Sequence, residues 1–96
     1  DRDLENNTWH CYVVARFESK AKRGRAFSAG IYDNKKDKGI TQLDVMIEKT
    51  KDGEKYRVYD LGVHKIPEGG MFYFFPSGDK AVEAVYIDRI FLVKEK

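Results

Sequence analysis

The chain is built from short stretches in which apolar and polar residues alternate. In "WHCYVVARFES", Trp9, Cys11, Val13, Ala15 and Phe17 fall on one face and His10, Tyr12, Val14, Arg16 and Glu18 on the other. A period of two is the pattern of a half-buried strand, which makes the odd-numbered face the core side. In "AFSAGIYD", Phe27, Ala29 and Ile31 alternate with Ser28, Gly30 and Tyr32. The small residues at 28 to 30 predict a bulge or the close approach of another part of the chain. "ITQLDVMIEKT" sets Leu43, Val45 and Ile47 against Gln42, Asp44, Met46 and Glu48, and its β-branched content and Gly-bounded ends argue against a helix. The short polar turn "KDGEK" predicts an antiparallel hairpin between this third strand and a fourth, "YRVYDLGV". "MFYFF" is a fifth strand, read as core and edge cover with a rim platform at Tyr73 and Phe75 as the alternative, and "VEAVYIDRIFLV" is the sixth. The predicted core is Trp9, Val13, Phe17, Phe27, Ile31, Leu43, Val45 and Ile47.

Six strands with turn signals between them, and no helical pattern, predict an all-β antiparallel sandwich or barrel. At 96 residues the chain makes one small domain, residues 1–96, in which every large apolar side chain is needed for the core. The sixth strand carries an irregularity. Strict alternation in "VYIDRIFLV" buries either Asp88 or Arg89 whichever face is inside. A bulge at Asp88-Arg89 resolves this, letting Val85 and Ile87 continue inward through Ile90 and Leu92 while both charges turn to an edge or a groove.

Composition narrows the function classes. Lys and Arg (18) nearly balance Asp and Glu (16), for a net charge of +2, far from the basic profile of a domain that lives on phosphate backbones. No run approaches the length of a membrane span, and "DRDLENNTW" lacks the regions of a signal peptide. The lone Cys11 lies in an apolar pattern and reads as a buried small hydrophobe. His10 and His64 have no second His or Cys at metal-ligand spacing. Glu48, Glu54, Asp60 and Glu68 are scattered over turns and strand ends, and no nucleophile-base arrangement emerges, so no catalytic residue, metal or cofactor is assigned.

The ending "AVYIDRIFLV" resembles the closing strand of jelly-roll carbohydrate-binding modules of the galactose-binding-like type. "WHCYVVARFE", "AFSAGIYD" and "YRVYDLG" are similar to a β-sandwich domain appended to secreted bacterial proteins related to glycoside hydrolases, with Trp9, Tyr12, Arg16 and Asp88-Arg89 among the matching positions. The resemblance implies a jelly-roll sandwich, a non-catalytic accessory role in binding polysaccharide, and an extracytoplasmic location. It also implies strands before the one holding Trp9, where only "DRDLENNT" stands, so the domain is read as the C-terminal part of a longer polypeptide, a sheet completed by a partner, or a reduced sandwich. Family members that hold a structural calcium often use the final-strand Asp together with ligands from that preceding region. A calcium at Asp88 therefore needs ligands from elsewhere.

Glycan recognition needs aromatic faces for the apolar sides of sugar rings and planar polar groups for paired hydroxyls. Tyr12 and Arg16 on the non-core face of the first strand, Tyr32 on that of the second, and Asp88 and Arg89 are the candidate ligand-binding residues, provided the three strands are neighbours. The partner is then a glycan or a neighbouring catalytic domain. The first alternative is a structural module that packs on a catalytic domain or mediates oligomer contacts. The second is a small nucleic-acid-binding barrel, with the basic turns "KAKRGR" and "KKDK" flanking one end; the balanced charge weighs against a nucleic-acid partner.

Overall fold

The computed structural model describes residues 2–96, with side chains from residue 4 onward. A five-residue helix, α1 (Arg2–Asn6), leads into six strands: β1 (Thr8–Ser19), β2 (Arg25–Asp33), β3 (Lys38–Met46), β4 (Arg57–Lys65), β5 (Gly70–Pro76) and β6 (Val82–Lys94). They form two three-stranded antiparallel sheets, β4-β1-β6 and β3-β2-β5, packed as a sandwich. Among the described residues only β2 and β3 form a hairpin within one sheet; every other link between strands crosses to the opposite sheet, in the manner of a jelly roll. β1 and β2 are the central strands. Edges β3 and β4 lie on one side of the sandwich, β5 and β6 on the other.

The core lies where the alternation puts it. Val13, Ala15 and Phe17 of β1 meet Phe27, Ala29 and Ile31 of β2, with Val45 and Leu61 closing the layer. Trp9, Leu43 and Ile47 are partly buried and pack against that cluster from its margins. Cys11 is buried as a small hydrophobe, and burial pushes its thiol pKa up. Phe17 is seated on Gly53: a β-carbon there would overlap its ring, and the Phe17 N–H donates to the Gly53 carbonyl over 2.9 Å.

One pairing departs from expectation. The "KDGEK" segment does not join β3 to β4 as a hairpin. β3 ends at Met46, a single turn of 3-10 helix (Ile47–Lys49) follows, and the chain crosses to pair β4 with β1. Thr50 Oγ1 donates to the Met46 carbonyl (2.8 Å) and Arg57 pairs with Asp52 (3.0 Å), fixing this corner. Gly53 is held against Phe17 rather than at the tip of a hairpin, which is why its turn chemistry misleads.

Two of the register breaks on the β4-β1-β6 sheet matter most for which side chains face out. Along β1 and β4, Cys11 lies opposite Gly62 and Tyr12 opposite Asp60, so Leu61 is the extra residue, turned into the core. Gly62 supplies the positive φ (88°) of this bulge, and its N–H donates to Asp60 Oδ1 over 2.7 Å. Along β1 and β6, Val14 lies opposite Arg89 and Ala15 opposite Ile87, so Asp88 is extra. Val85 and Ile87 before it, and Ile90 and Leu92 after it, stand opposite the inward residues Phe17, Ala15, Val13 and Cys11. The predicted break in alternation is therefore present at the predicted step.

Candidate functional site

The five candidate residues divide between two opposite faces. Tyr12, Arg16, Asp88 and Arg89 lie on the outer face of the β4-β1-β6 sheet, whereas Tyr32 lies on the outer face of β3-β2-β5. The surface expected to join them does not form. Alternation fixes the face of a strand but not the sheet it enters, and the β1-β2 link crosses the sandwich.

On the first sheet the candidates are engaged mainly by neighbours outside the candidate set. Tyr12 stacks between His10 (ring centroids 4.4 Å apart) and Phe91 (4.9 Å), and His10 Nε2 lies 2.7 Å from Asp60 Oδ1. Arg16 places its guanidinium 4.0 Å from the Tyr86 ring centroid and donates to Glu18 (3.1 Å). Arg89 approaches Asp88 only at 3.9 Å, and both are exposed. Among the described residues this bulge turns the charges outward without anchoring Asp88 in a hydrogen-bond network. Among the described residues no group of three or more His, Cys, Asp or Glu is placed to hold a metal ion. With Arg89 as its neighbour, Asp88 does not fit the calcium that the resemblance implies.

On the second sheet the outer face is an ordered array. The register sets three rows across β3, β2 and β5: Asp44, Ser28 and Phe75; Gln42, Gly30 and Tyr73; Gly39, Tyr32 and Met71. Six of these residues, Tyr32, Gly39, Gln42, Met71, Tyr73 and Phe75, line a shallow groove of about 470 Å³. Its floor exists because residue 30 has no side chain. The Tyr73 ring lies across Gly30, its hydroxyl donates to Gln42 Oε1 over 2.8 Å, and Phe75 sits beside it at 5.1 Å between centroids. The close approach predicted from the small residues at 28 to 30 is this ring.

A polar chain leads away from the groove at Gln42 toward the start of β2. Gln42 Nε2 donates to Asp44 Oδ1 (3.0 Å), Ser28 Oγ donates to the same oxygen (2.6 Å), and Arg25 Nη1 donates to Ser28 Oγ (2.8 Å). The Ser28 hydroxyl, then Gln42, hold the Asp44 carboxyl below the ordinary carboxylate range. Arg25 also reaches the carbonyls of Phe75 (3.4 Å), Pro76 (3.4 Å) and Ser77 (3.5 Å), pinning the end of β5. At the other end the Tyr32 hydroxyl donates to Asp37, which raises the Tyr32 pKa. Aromatic faces thus stand next to fixed donors and acceptors on one sheet.

The sequence offers Tyr73 and Phe75 as a rim platform, but the preferred reading of "MFYFF" as core and edge cover left them out of the candidate site. Phe72 and Phe74 do pack on the core, while Met71, Tyr73 and Phe75 alternate outward. The available signal was the pairing of an aromatic, alternating strand with the unusual Ser28-Ala29-Gly30 run.

A second concavity, of about 440 Å³, opens at the seam between β5 and β6 and is lined by Phe27, Phe74, Val82, Val85 and Ile87, with Asp79 and Glu83 among its polar residues. It has no counterpart to the Tyr73 ring seated on Gly30 and bonded to Gln42, which singles out the groove as the candidate site. The basic turns do not flank one end: residues 20–25 lie at the start of β2 and residues 35–38 beyond its far end. Within them Lys35 pairs with Glu68 (2.6 Å) and Lys20 approaches Glu83 (3.8 Å). No helix among the described residues is long and apolar enough to cross a membrane. Comparison with protein-family models, with curated proteins and with solved structures finds no match.

Proposed function

We propose that this domain is a non-catalytic carbohydrate-binding module that holds its glycan along the outer face of β3-β2-β5. The observation that carries this reading is Tyr73 laid over Gly30, beside Phe75 and in line with Gln42, Asp44, Ser28 and Arg25. A sugar ring has apolar C–H faces that stack on an aromatic ring and equatorial hydroxyls that bond in pairs to planar groups at its edge. The groove offers both, with its polar groups already oriented, which lowers the ordering entropy of binding. Of the candidates drawn from the sequence, Tyr32 belongs to this site; Tyr12, Arg16, Asp88 and Arg89 do not.

The test is retention of the intact domain on a panel of polysaccharides, by affinity electrophoresis and titration calorimetry. Tyr73→Ala and Gln42→Ala are expected to weaken binding by more than about tenfold, while Tyr12→Ala and Arg16→Ala leave it within about twofold. Loss confined to the Tyr12 and Arg16 variants would move the site to the other sheet. No binding to any glycan at millimolar concentration would remove the reading.

A second reading is favoured by the opposite face. There Tyr56, Val58, Val63 and Val93 are 49, 58, 44 and 48 % exposed, an apolar surface suited to packing against another domain. In that case the module is structural, and limited proteolysis of a complex should protect β4 rather than β5.

A further inference from the structure

β6 is the longest strand, and among the described residues it pairs on one side only, with β1. A thirteen-residue open edge is a template for strand addition. Its flank is also incompletely covered: Ile87 points toward the interior yet is 36 % exposed at the seam. Proteins commonly blunt such an edge with charges or bulges. Here the bulge and the charges sit at one step, and that step has a symmetry of its own.

We infer that β6 pairs edge to edge, antiparallel, with β6 of a second copy about a two-fold axis at Asp88-Arg89. Around that axis Asp88 stands opposite Arg89 of the second copy and Arg89 opposite its Asp88, so both charges are matched twice. Outward from it, Ile87 meets Ile90, Tyr86 meets Phe91, Val85 meets Leu92 and Ala84 meets Val93. Every apolar residue over this span meets an apolar residue.

The faces agree as well, and only because of the bulge. In a regular strand, residues 87 and 90 point to opposite faces, and this pairing would set a core residue against an outer one. The extra residue at Asp88 shifts the phase. Val85, Ile87, Ile90 and Leu92 all face inward, and Ala84, Tyr86, Arg89, Phe91 and Val93 stand opposite the outward residues Glu18, Arg16, Val14, Tyr12 and His10. Two-fold pairing therefore sets inner against inner and outer against outer, and joins the two β4-β1-β6 sheets into one of six strands. The contact is isologous, so it closes at a dimer and does not propagate. The groove on β3-β2-β5 lies on the other sheet, so this inference stands apart from the glycan reading.

The test is sedimentation velocity on the purified domain with charge-reversal variants at exposed positions. The wild type is expected to sediment as a dimer at tens of micromolar. Asp88→Arg puts two pairs of guanidinium groups across the axis and Arg89→Asp puts two pairs of carboxylates there, so each is expected to raise the dissociation constant more than about tenfold. An equimolar mixture of the two is expected to form heterodimers, because the two guanidinium groups of one chain then face the two carboxylates of the other. The double swap, Asp88→Arg with Arg89→Asp, is expected to restore the homodimer. Circular dichroism confirms that each variant is folded. A wild type that stays monomeric at the highest soluble concentration overturns the inference, as does a dimer that survives both single reversals.

Discussion

Replacing Gly30 by alanine tests the close packing beneath the groove. Gly30 is not at a positive φ, so alanine is allowed there by backbone conformation and the effect is purely steric. A β-carbon at residue 30 overlaps the Tyr73 hydroxyl and ring, and lies 2.5 Å from the Thr41 carbonyl oxygen, well inside the ordinary contact distance that begins at 3.4 Å. The ring can swing away, but the carbonyl belongs to the β2-β3 ladder and cannot move without disturbing it. Overpacking of this kind costs about 1–3 kcal/mol. Losing the Tyr73-Gln42 hydrogen bond adds about 1 kcal/mol, and the stiffer unfolded chain of alanine returns roughly 0.4–1 kcal/mol. The net loss is about 2 kcal/mol, which for a domain of this size lowers the melting temperature by roughly 8–16 °C. Thermal and urea denaturation read the stability, and near-ultraviolet circular dichroism reads the displaced tyrosine. Adding Tyr73→Ala removes the ring overlap but not the carbonyl, so the double variant should be less destabilised than the sum of the singles. A melting temperature within about 2 °C of wild type, with an unchanged aromatic signal, would refute the packing described here.

Phe17→Ala removes a side chain that is 5 % exposed and seated on Gly53, and is expected to destabilise by about 3–5 kcal/mol in urea unfolding; a loss below about 1 kcal/mol would mean that β1 presents its other face to the core. Stability is also expected to fall in acid. Asp44 is held below its ordinary pKa by Ser28 and Gln42, Asp60 by the Gly62 N–H and His10, and Glu68 by Lys35. A depressed folded-state pKa gives stability that is complete above the unfolded value and is lost as pH drops through the folded one, so the urea midpoint should decline below about pH 4. In alkali the sign reverses: burial raises the pKa of Tyr59 and Tyr73, and their contribution should fade as pH rises above about 10. A urea midpoint that is flat from pH 6 to pH 3 would contradict the acid half.

What was legible in the sequence was whatever a single strand determines by itself. The alternation in β1 and β2 identified Val13, Phe17, Phe27 and Ile31 as core, and its failure at Asp88 located the bulge. Relations between strands were harder to read. Gly53 looked like a hairpin turn because a Gly-containing polar segment between apolar runs is the same in sequence whether the chain folds back or crosses to the other sheet. Tyr12 and Tyr32 each lie on an outer face as their patterns required, yet on opposite sides of the sandwich. In "MFYFF" every residue is apolar or aromatic, so period-two reading offers no contrast between the faces, and the partner strand decides which aromatics line the groove.

That partner strand is unusual in being covered on both sides. Phe27, Ala29 and Ile31 face the core, while Ser28 and Gly30 on the outer face are buried too, beneath Tyr73 and the Arg25-Asp44 chain. A solvated sheet face has no need of this. The platform residues Tyr73 and Phe75 sit on β5, an edge strand that among the described residues pairs with β2 alone, so by backbone pairing they occupy the less constrained margin of the sheet. Three further restraints hold them: the glycine seat beneath the ring, the Gln42 acceptor at its hydroxyl, and Arg25 gripping the carbonyls at the end of the strand. Each fixes an outward-facing aromatic or the strand that carries it, where simple burial of β5 would require only Phe72 and Phe74. Order on a face where the core demands none is what distinguishes the groove from the seam, where Ile87 faces inward yet is 36 % exposed.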